Sequence, residues 1–521
     1  MWYMHKTRLF IFLFLVICLL SFKKHKSNPP PNILFIMSDD HAQRAISAYD
    51  SSLILTPNID RIANEGMIFR NSFVTNSICA PSRAVMLTGK FSHLNGKRDN
   101  TDVFNGDQAT FPKLLQNAGY ETAVIGKWHL KSPPRGFDYW KILLGQGEYY
   151  SPRFASSTDT TEVRGYVTDI ITDFVLDFLG SRDKKKPFCL LYHHKAPHRN
   201  WMPDIQDLHA YENDTLPLPD NFHDNYTGRY AAESADMRIT DMYLSYDIKL
   251  HPKAYTKETG SGGKAGFKAE DNWNKVLERM TDDKRNKFIA HYAEENKKFQ
   301  QVVWSDKELA EWKYQRYLKD YLRCIRSVDR NIGRVLDYLD ENGLTENTLV
   351  VYTSDQGFYL GEHGWYDKRF MYEESLRTPL MMRYPKEITG GSQTDQMVQN
   401  IDYAPTFLDI ADIEMPDEIQ GKTLTSVIKN EVNTEWRNAI YYHYYEYPHG
   451  WHKVKKHYGV RTKRYKLIHF YQDTDNWELY DLQKDPMEMN NVYNKTAYEE
   501  IQNELYTKLM GLRAKYADEG P

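Results

Sequence analysis

Four short apolar runs set the frame for this chain: Asn32–Met37, Thr122–Ile125, Phe188–His193 and Thr348–Thr353. Each is too short for a self-standing helix and has no polar alternation, the pattern of a strand buried on both faces. Amphipathic helical stretches lie between them. Thr56-Pro57 opens one that runs through Glu65 and stops at Gly66, and another spans Tyr314–Asn342 and ends at Gly343. This alternation predicts an α/β fold, a large mixed but mainly parallel sheet sandwiched by helices. With 521 residues and 41 % hydrophobic content the chain can bury a large core. Beyond about Glu435 the texture changes to short aromatic strands (Ile440–Tyr447, Tyr458–Phe470) and a terminal helix, Ala497–Tyr516. The expectation there is a small C-terminal antiparallel sheet-plus-helix subdomain over 435–521, with the main domain over 30–434. The charged stretch from Asp204 to Lys313 reads as a mostly helical insertion on that domain, interrupted by a flexible break at Thr259–Gly266.

The ends and the charge narrow the class. A net charge of -4 gives no basic field for nucleic acid. Lys6 and Arg8 precede a continuously apolar Leu9–Leu20, and a polar stretch begins at Ser21. That run is shorter than the roughly 20 residues of a comfortable membrane span, so residues 1–22 read as an export signal. Leu15-Val16-Ile17-Cys18 weakly resembles a lipobox, which leaves three outcomes open: a cleaved signal, a lipid anchor on Cys18, or an uncleaved anchor. Each predicts a location outside the cytoplasm, periplasmic or secreted, with membrane contact only through an anchor. Of 4 cysteines, Cys18 lies in this segment, and Cys79, Cys189 and Cys324 are too few for a disulfide-built domain.

Chemistry concentrates directly after the four strands. Ser38-Asp39-Asp40-His41, Gly126-Lys127-Trp128-His129, Lys195-Ala196-Pro197-His198 and Ser354-Asp355-Gln356-Gly357 follow them in turn. Ligands of open parallel sheets bind beyond the carboxyl ends of the strands, so these clusters should share one rim. Asp39, Asp40, Asp355 and Gln356 are oxygen donors suited to a hard cation such as Ca²⁺ or Mg²⁺ rather than Zn²⁺. Either group alone also fits a turn or helix cap. Cys79 precedes Pro81, a helix starter, which puts it at a helix N-terminus where anions are favoured. Taken alone, such a cysteine reads equally well as a packing residue.

Together these residues resemble a known family. Cys79-Ala80-Pro81-Ser82-Arg83 followed by Leu87-Thr88-Gly89 looks like the signature of formylglycine-dependent (type I) sulfatases of the alkaline phosphatase superfamily. Thr56–Asp60, the four strand-end clusters, Arg461–Ile468 and Glu478–Asp485 extend the resemblance over nearly the whole chain. The resemblance implies that a formylglycine-generating or anaerobic sulfatase-maturating enzyme oxidises Cys79 to 3-oxoalanine. The hydrate of that aldehyde would attack sulfur and then expel sulfate. It implies Ca²⁺, or Mg²⁺, held by Asp39, Asp40, Asp355, Gln356 and the modified Cys79. Gln356 stands where Asn is common in the family. Arg83 would steady the nucleophile, Lys127, His129 and Lys368 would hold sulfate oxygens or the hydrate, and His198 would protonate the leaving oxygen. The substrate is expected to be a sulfated carbohydrate, since this region is similar to bacterial sulfatases acting on N-acetylglucosamine 6-sulfate or on algal polysaccharides such as ulvan. Lys195, Arg377, His449, His452 and His457 are the expected sugar contacts, the three histidines within an aromatic and cationic cluster that includes His443–Tyr447, Trp451 and Arg461. Two alternatives share these features: a phosphodiesterase or phosphonate monoester hydrolase of the same superfamily, and a non-catalytic sulfoglycan-binding protein.

Overall fold

Ten strands build the main sheet of the protein, a computed structural model that describes residues 29–255, 266–431, 436–472 and 474–520. In chain order they are β1 (Asn32–Ser38), β2 (Met67–Phe69), β3 (Glu121–Lys127), β4 (Tyr139–Leu143), β5 (Arg153–Ala155), β6 (Thr160–Glu162), β7 (Phe188–His193), β8 (Thr348–Ser354), β9 (Leu380–Arg383) and β10 (Ser392–Thr394). They lie side by side as β10-β2-β9-β8-β1-β7-β3-β4-β5-β6. The strands β8, β1, β7, β3 and β4 are mutually parallel, while β9 on one side and β5 and β6 on the other run antiparallel to their neighbours. The four apolar runs of the sequence are therefore the contiguous centre of the sheet.

The helices used below are α1 (Pro57–Asn64), α2 (Cys79–Thr88), α3 (Phe111–Asn117), α4 (Val167–Ser181), α5 (Ala269–Glu278), α6 (Asp282–Gln301), α7 (Asp306–Glu341), α8 (Tyr403–Ile410) and α9 (Glu499–Lys515). Side chains of a strand alternate between its faces, and the two halves of the core follow that period. Leu34, Ile36, Leu190 and Val350 meet α1, α4 and α7 on one face. Ile33, Phe35, Leu191 and Val351 meet α2, α3 and α8 on the other. Helix α7 begins eight residues before the periodic stretch in the sequence. Ser305 caps it, its hydroxyl accepting from the Glu308 N–H while Glu308 returns a bond to the Ser305 N–H at 3.0 Å.

The insertion differs from the expectation. Between 204 and 255 it contains only short turns of helix and the four-residue Tyr230–Glu233, and its regular helices among the described residues are α5, α6 and the start of α7. Pro217, Pro219 and Gly228 punctuate the irregular half, where helix cannot propagate. After residue 436, β11 (Ala439–Tyr444), β12 (His457–Thr462), β13 (Tyr465–Phe470) and β14 (Asn476–Asp481) form an antiparallel four-stranded sheet in sequence order. Tyr458–Phe470, read as one strand from the sequence, is thus a hairpin. One face of this sheet buries Ile440, Tyr442 and Ile468 against Phe73, Ile78 and Trp365, and the other buries Tyr441, Val460 and Leu467 against α9. The expected export signal with Cys18, and all of the 259–266 break but its last residue, lie outside the described residues. Among the described residues no helix is long and apolar enough to cross a membrane.

Candidate active site

The carboxyl ends of β8, β1, β7 and β3 share one rim because the strands are adjacent and parallel. One glycine makes the fit at β3 possible. Gly126 has φ of 106°, and a Cβ there would lie 1.8 Å from the His193 carbonyl oxygen of β7. Asp40 and His129, just past two strand ends, hold positive φ of 63° and 59°, conformations that cost energy and cluster at functional sites.

The side chains converge in a nearly dry space. One donor atom each from Asp39, Asp40, Cys79 and His198 lies within 4.8 Å of the others. Arg83, on α2, donates to Asp355 Oδ2 from Nε at 3.0 Å and Nη2 at 2.9 Å, and to the Lys127 carbonyl from Nη1 at 2.8 Å. Lys368 Nζ sits 2.6 and 2.7 Å from the two Asp40 carboxylate oxygens. This lysine is 3 % exposed, so it is no solvated surface charge. Lys127 pairs with Asp39 and donates to Gln146 Oε1 at 2.5 Å. Gln356 donates its amide N–H to Asp40, which turns its carbonyl oxygen free. Asp39 Oδ1 and Gln356 Oε1 are buried with no hydrogen-bond donor. Buried acceptors are rarely left so. These orphaned oxygens, beside Asp40 and Asp355, form an all-oxygen donor set that fits a hard cation.

Burial acts on the acids and the bases of this site alike, disfavouring the charged form of each. Burial, helped by Asp355 and Asp367, pushes the Asp40 carboxyl up to about 7 against the pull of Lys368. Burial lowers the Lys127 ammonium well below its ordinary range and Lys195 to about 8. Burial, then the charges of Lys127 and Lys368, hold the His198 imidazole well below its usual value. The Cys79 thiol is pushed far up by burial, so it is a neutral thiol and a poor nucleophile as it stands.

A cleft of about 460 Å³ opens onto these groups, its wall including Cys79, His129, Lys195, His198 and Lys368. Of the five expected sugar contacts, Lys195 lines it, with its ammonium 4.7 Å from the Tyr149 ring centre. The other four do not. His452 is buried behind the wall, 2.8 Å from Asp367 Oδ2. His449 pairs with Asp99 at 2.7 Å and borders a separate surface groove. His457 faces inward on β12, where it accepts from the Met371 N–H at 3.1 Å and stacks on Tyr442. Arg377 is held by Glu373 at 2.6 Å and the Arg70 carbonyl at 2.8 Å. The reason is pairing: only His457 lies on a strand, and in each case a histidine or arginine satisfies a neighbouring group of the fold as readily as a ligand. Trp451 and Glu446 of the same cluster do reach the cleft, as do Asn100, Gln146, Arg199 and Arg369, which sequence reasoning passed over. Arg199 directly follows His198 and is fixed by two 2.7 Å bonds to Asp247 and by the Trp451 ring at 4.9 Å. Its position in Lys195–Arg199 was the available signal, whereas nothing local marks Asn100.

An all-oxygen cation cradle, a cysteine at a helix N-terminus and a ring of buried cations at a parallel sheet's carboxyl end define a hydrolase of anionic esters with an alkaline phosphatase-like fold. A family model described as Sulfatase matches residues 31–413, and one described as N-sulphoglucosamine sulphohydrolase, C-terminal, matches residues 361–515. The chain belongs to the sulfatase family and is a sulfuric ester hydrolase. It is 50 % identical to an N-acetylglucosamine-6-O-sulfatase of Bacteroides thetaiotaomicron, over 94 % of this chain and 88 % of that protein. The structure of BT4656 in complex with its substrate D-glucosamine-2-N,6-O-disulfate matches with a TM-score of 0.89 at 50 % identity, covering 94 % of this chain and 99 % of the other. An ulvan-active sulfatase of Formosa agariphila is 25 % identical over 94 % of this chain and 82 % of its own.

Proposed function

We propose that this sulfatase removes the 6-O-sulfate of N-acetylglucosamine or glucosamine units in sulfated glycans, such as glycosaminoglycans or their oligosaccharides. The observation that carries the reading is half identity, over nearly the full chain, to a relative named for that reaction. The ulvan reading has less support, since the ulvan-active relative shares a quarter of its residues.

Asp39, Asp40, Asp355 and Gln356 would hold Ca²⁺, with Mg²⁺ as the substitute of similar chemistry. Bound there, the ion supplies Lewis-acid charge to sulfate oxygens and to the nucleophile. Conversion of Cys79 by a maturating enzyme supplies an oxygen nucleophile at the helix N-terminus, a task the neutral buried thiol performs poorly. Arg83 steadies that group while its Asp355 contacts keep the guanidinium in place. Lys127, His129 and Lys368 neutralise sulfate oxygens as negative charge shifts toward the leaving oxygen. His198 Nδ1 lies 2.7 Å from the Arg199 carbonyl, which leaves Nε2 facing the cleft to protonate that oxygen. Burial and then the neighbouring cations depress this imidazole, and an anionic substrate beside it raises it again by offsetting the cations. Lys195 contributes charge at the wall. The N-terminal segment exports the enzyme to the periplasm or beyond.

Sulfate release by the matured enzyme from N-acetylglucosamine 6-O-sulfate, ulvan fragments and an aryl phosphodiester tests the assignment. Turnover of the 6-O-sulfate should exceed both others by at least tenfold. A preference for the phosphodiester would overturn the reading, and a preference for ulvan would overturn its substrate.

A further inference from the structure

Outside the cleft, the described residues contain a second group of metal-ligating side chains. His209 and Glu212 sit in the turn after Ile205–Asp207, and His291 lies on α6, more than two thirds of the insertion's length away in sequence. One donor atom from each is within 4.8 Å of the others. His209 Nδ1 is 2.9 Å from Glu212 Oε2, and the two imidazole rings meet edge to face with centres 5.1 Å apart. His291 Nδ1 is buried and has no hydrogen-bond partner. All three border a cavity of about 700 Å³.

We propose that His209, Glu212 and His291 form a transition-metal site of the Zn²⁺ type that staples the 205–213 turn to α6. Two imidazole nitrogens and one carboxylate oxygen are a donor set that zinc and its late first-row neighbours prefer and that Ca²⁺ does not. Tetrahedral coordination at about 2.0–2.1 Å places donors roughly 3.3 Å apart; His209 and Glu212 are already that near, and the His291 donor needs to approach by at most about an ångström and a half. His209 and Glu212 are exposed on a turn, with side chains 76 % and 50 % accessible, and rotation is open to them. Lys287, Lys298, Arg316, Lys319 and Arg323 also face this cavity and oppose a cation, while Glu294 and Glu295 favour it; Lys287 is paired with Asp283 and Lys298 with Glu295, which offsets those two charges. Arg323 is tied to Asp320 at 2.9 Å and to the Ala210 carbonyl at 2.9 Å, which holds its charge in a fixed place. The staple has a consequence for the cleft. Helix α6 follows Arg279, a cleft-wall residue whose Nε donates to the Tyr150 carbonyl at 3.1 Å. Fixing α6 to the 205–213 turn fixes the wall that carries Arg279.

The test uses the full-length protein with Ca²⁺ in excess to occupy the catalytic cradle. Crystals soaked in ZnCl₂ and measured at the zinc absorption edge should show an anomalous peak among His209, Glu212 and His291. Calorimetric titration with ZnCl₂ should show a micromolar site that weakens at least tenfold in His209→Ala and in His291→Ala. That site should persist in His223→Ala, which removes an exposed histidine paired with Glu311. Zn²⁺ should raise the thermal midpoint of the wild type by several degrees and leave that of His209→Ala unmoved. No anomalous peak at the three residues, or the same zinc titration in wild type and His209→Ala, would overturn the proposal.

Discussion

Arg83 connects three parts of the site at once: the nucleophile helix that carries it, the Asp355 carboxylate and the Lys127 carbonyl. Arg83→Ala leaves a buried acid without its partner, so unfolding free energy should drop by about 3–5 kcal/mol in urea titrations, with activity lost. Arg83→Lys should recover part of the stability and little activity, since one ammonium cannot reproduce the planar fork. His198 gives a sharper chemical prediction. If it protonates the leaving oxygen, His198→Ala should lower kcat on a sugar 6-O-sulfate by about 10²–10⁴. The same variant should lose far less on an activated aryl sulfate, whose phenolate leaves without help. Equal losses on both substrates would point to a binding role.

At the scale of elements, much was legible because strands buried on both faces leave an unbroken apolar signal. Asn32–Met37 and Phe188–His193 fall inside or on strands β1 and β7 to the residue, and the polar clusters after them meet at one rim. Short strands such as β2 and β9 left no such signal, since three or four apolar residues fit a helix equally well. The insertion misled because charge density suggested helix while prolines imposed loops over its first half. Contacts such as Asn100 and Gln146 come from loops whose placement depends on the assembled fold, and His457 lies inside because both faces of its sheet are covered, which the local pattern of β12 does not reveal. Gly126 is the element-scale test. Gly126→Ala combines a left-handed backbone with a collision against His193, and should cost about 2–5 kcal/mol, seen as a lower thermal midpoint.

For the whole molecule, stability should peak in a limited pH range. Burial lowers His443 to about 4 and His457 to about 3, both below the unfolded value near 6.5. Their contribution is complete above pH 6.5 and lost as pH falls through 4 and 3. Burial raises Glu478 from 4.5 to about 7, so its contribution is complete below pH 4.5 and lost as pH rises through 7. Two histidine contributions outweigh one glutamate, so urea unfolding free energies should be greatest at about pH 6–7, fall on acidification below that, and be slightly lower and level above about pH 7. Chelation should remove activity, and Ca²⁺ or Mg²⁺ should restore it where Zn²⁺ does not, because the catalytic cradle offers oxygens. The central claim concerns Cys79, buried, neutral and within reach of the cation cradle. Peptide mass spectrometry of fully active enzyme, made with a maturating enzyme, tests it directly. The account predicts the Cys79 peptide at the mass of the aldehyde or its hydrate, with turnover proportional to that fraction; full activity with Cys79 still a thiol would contradict it.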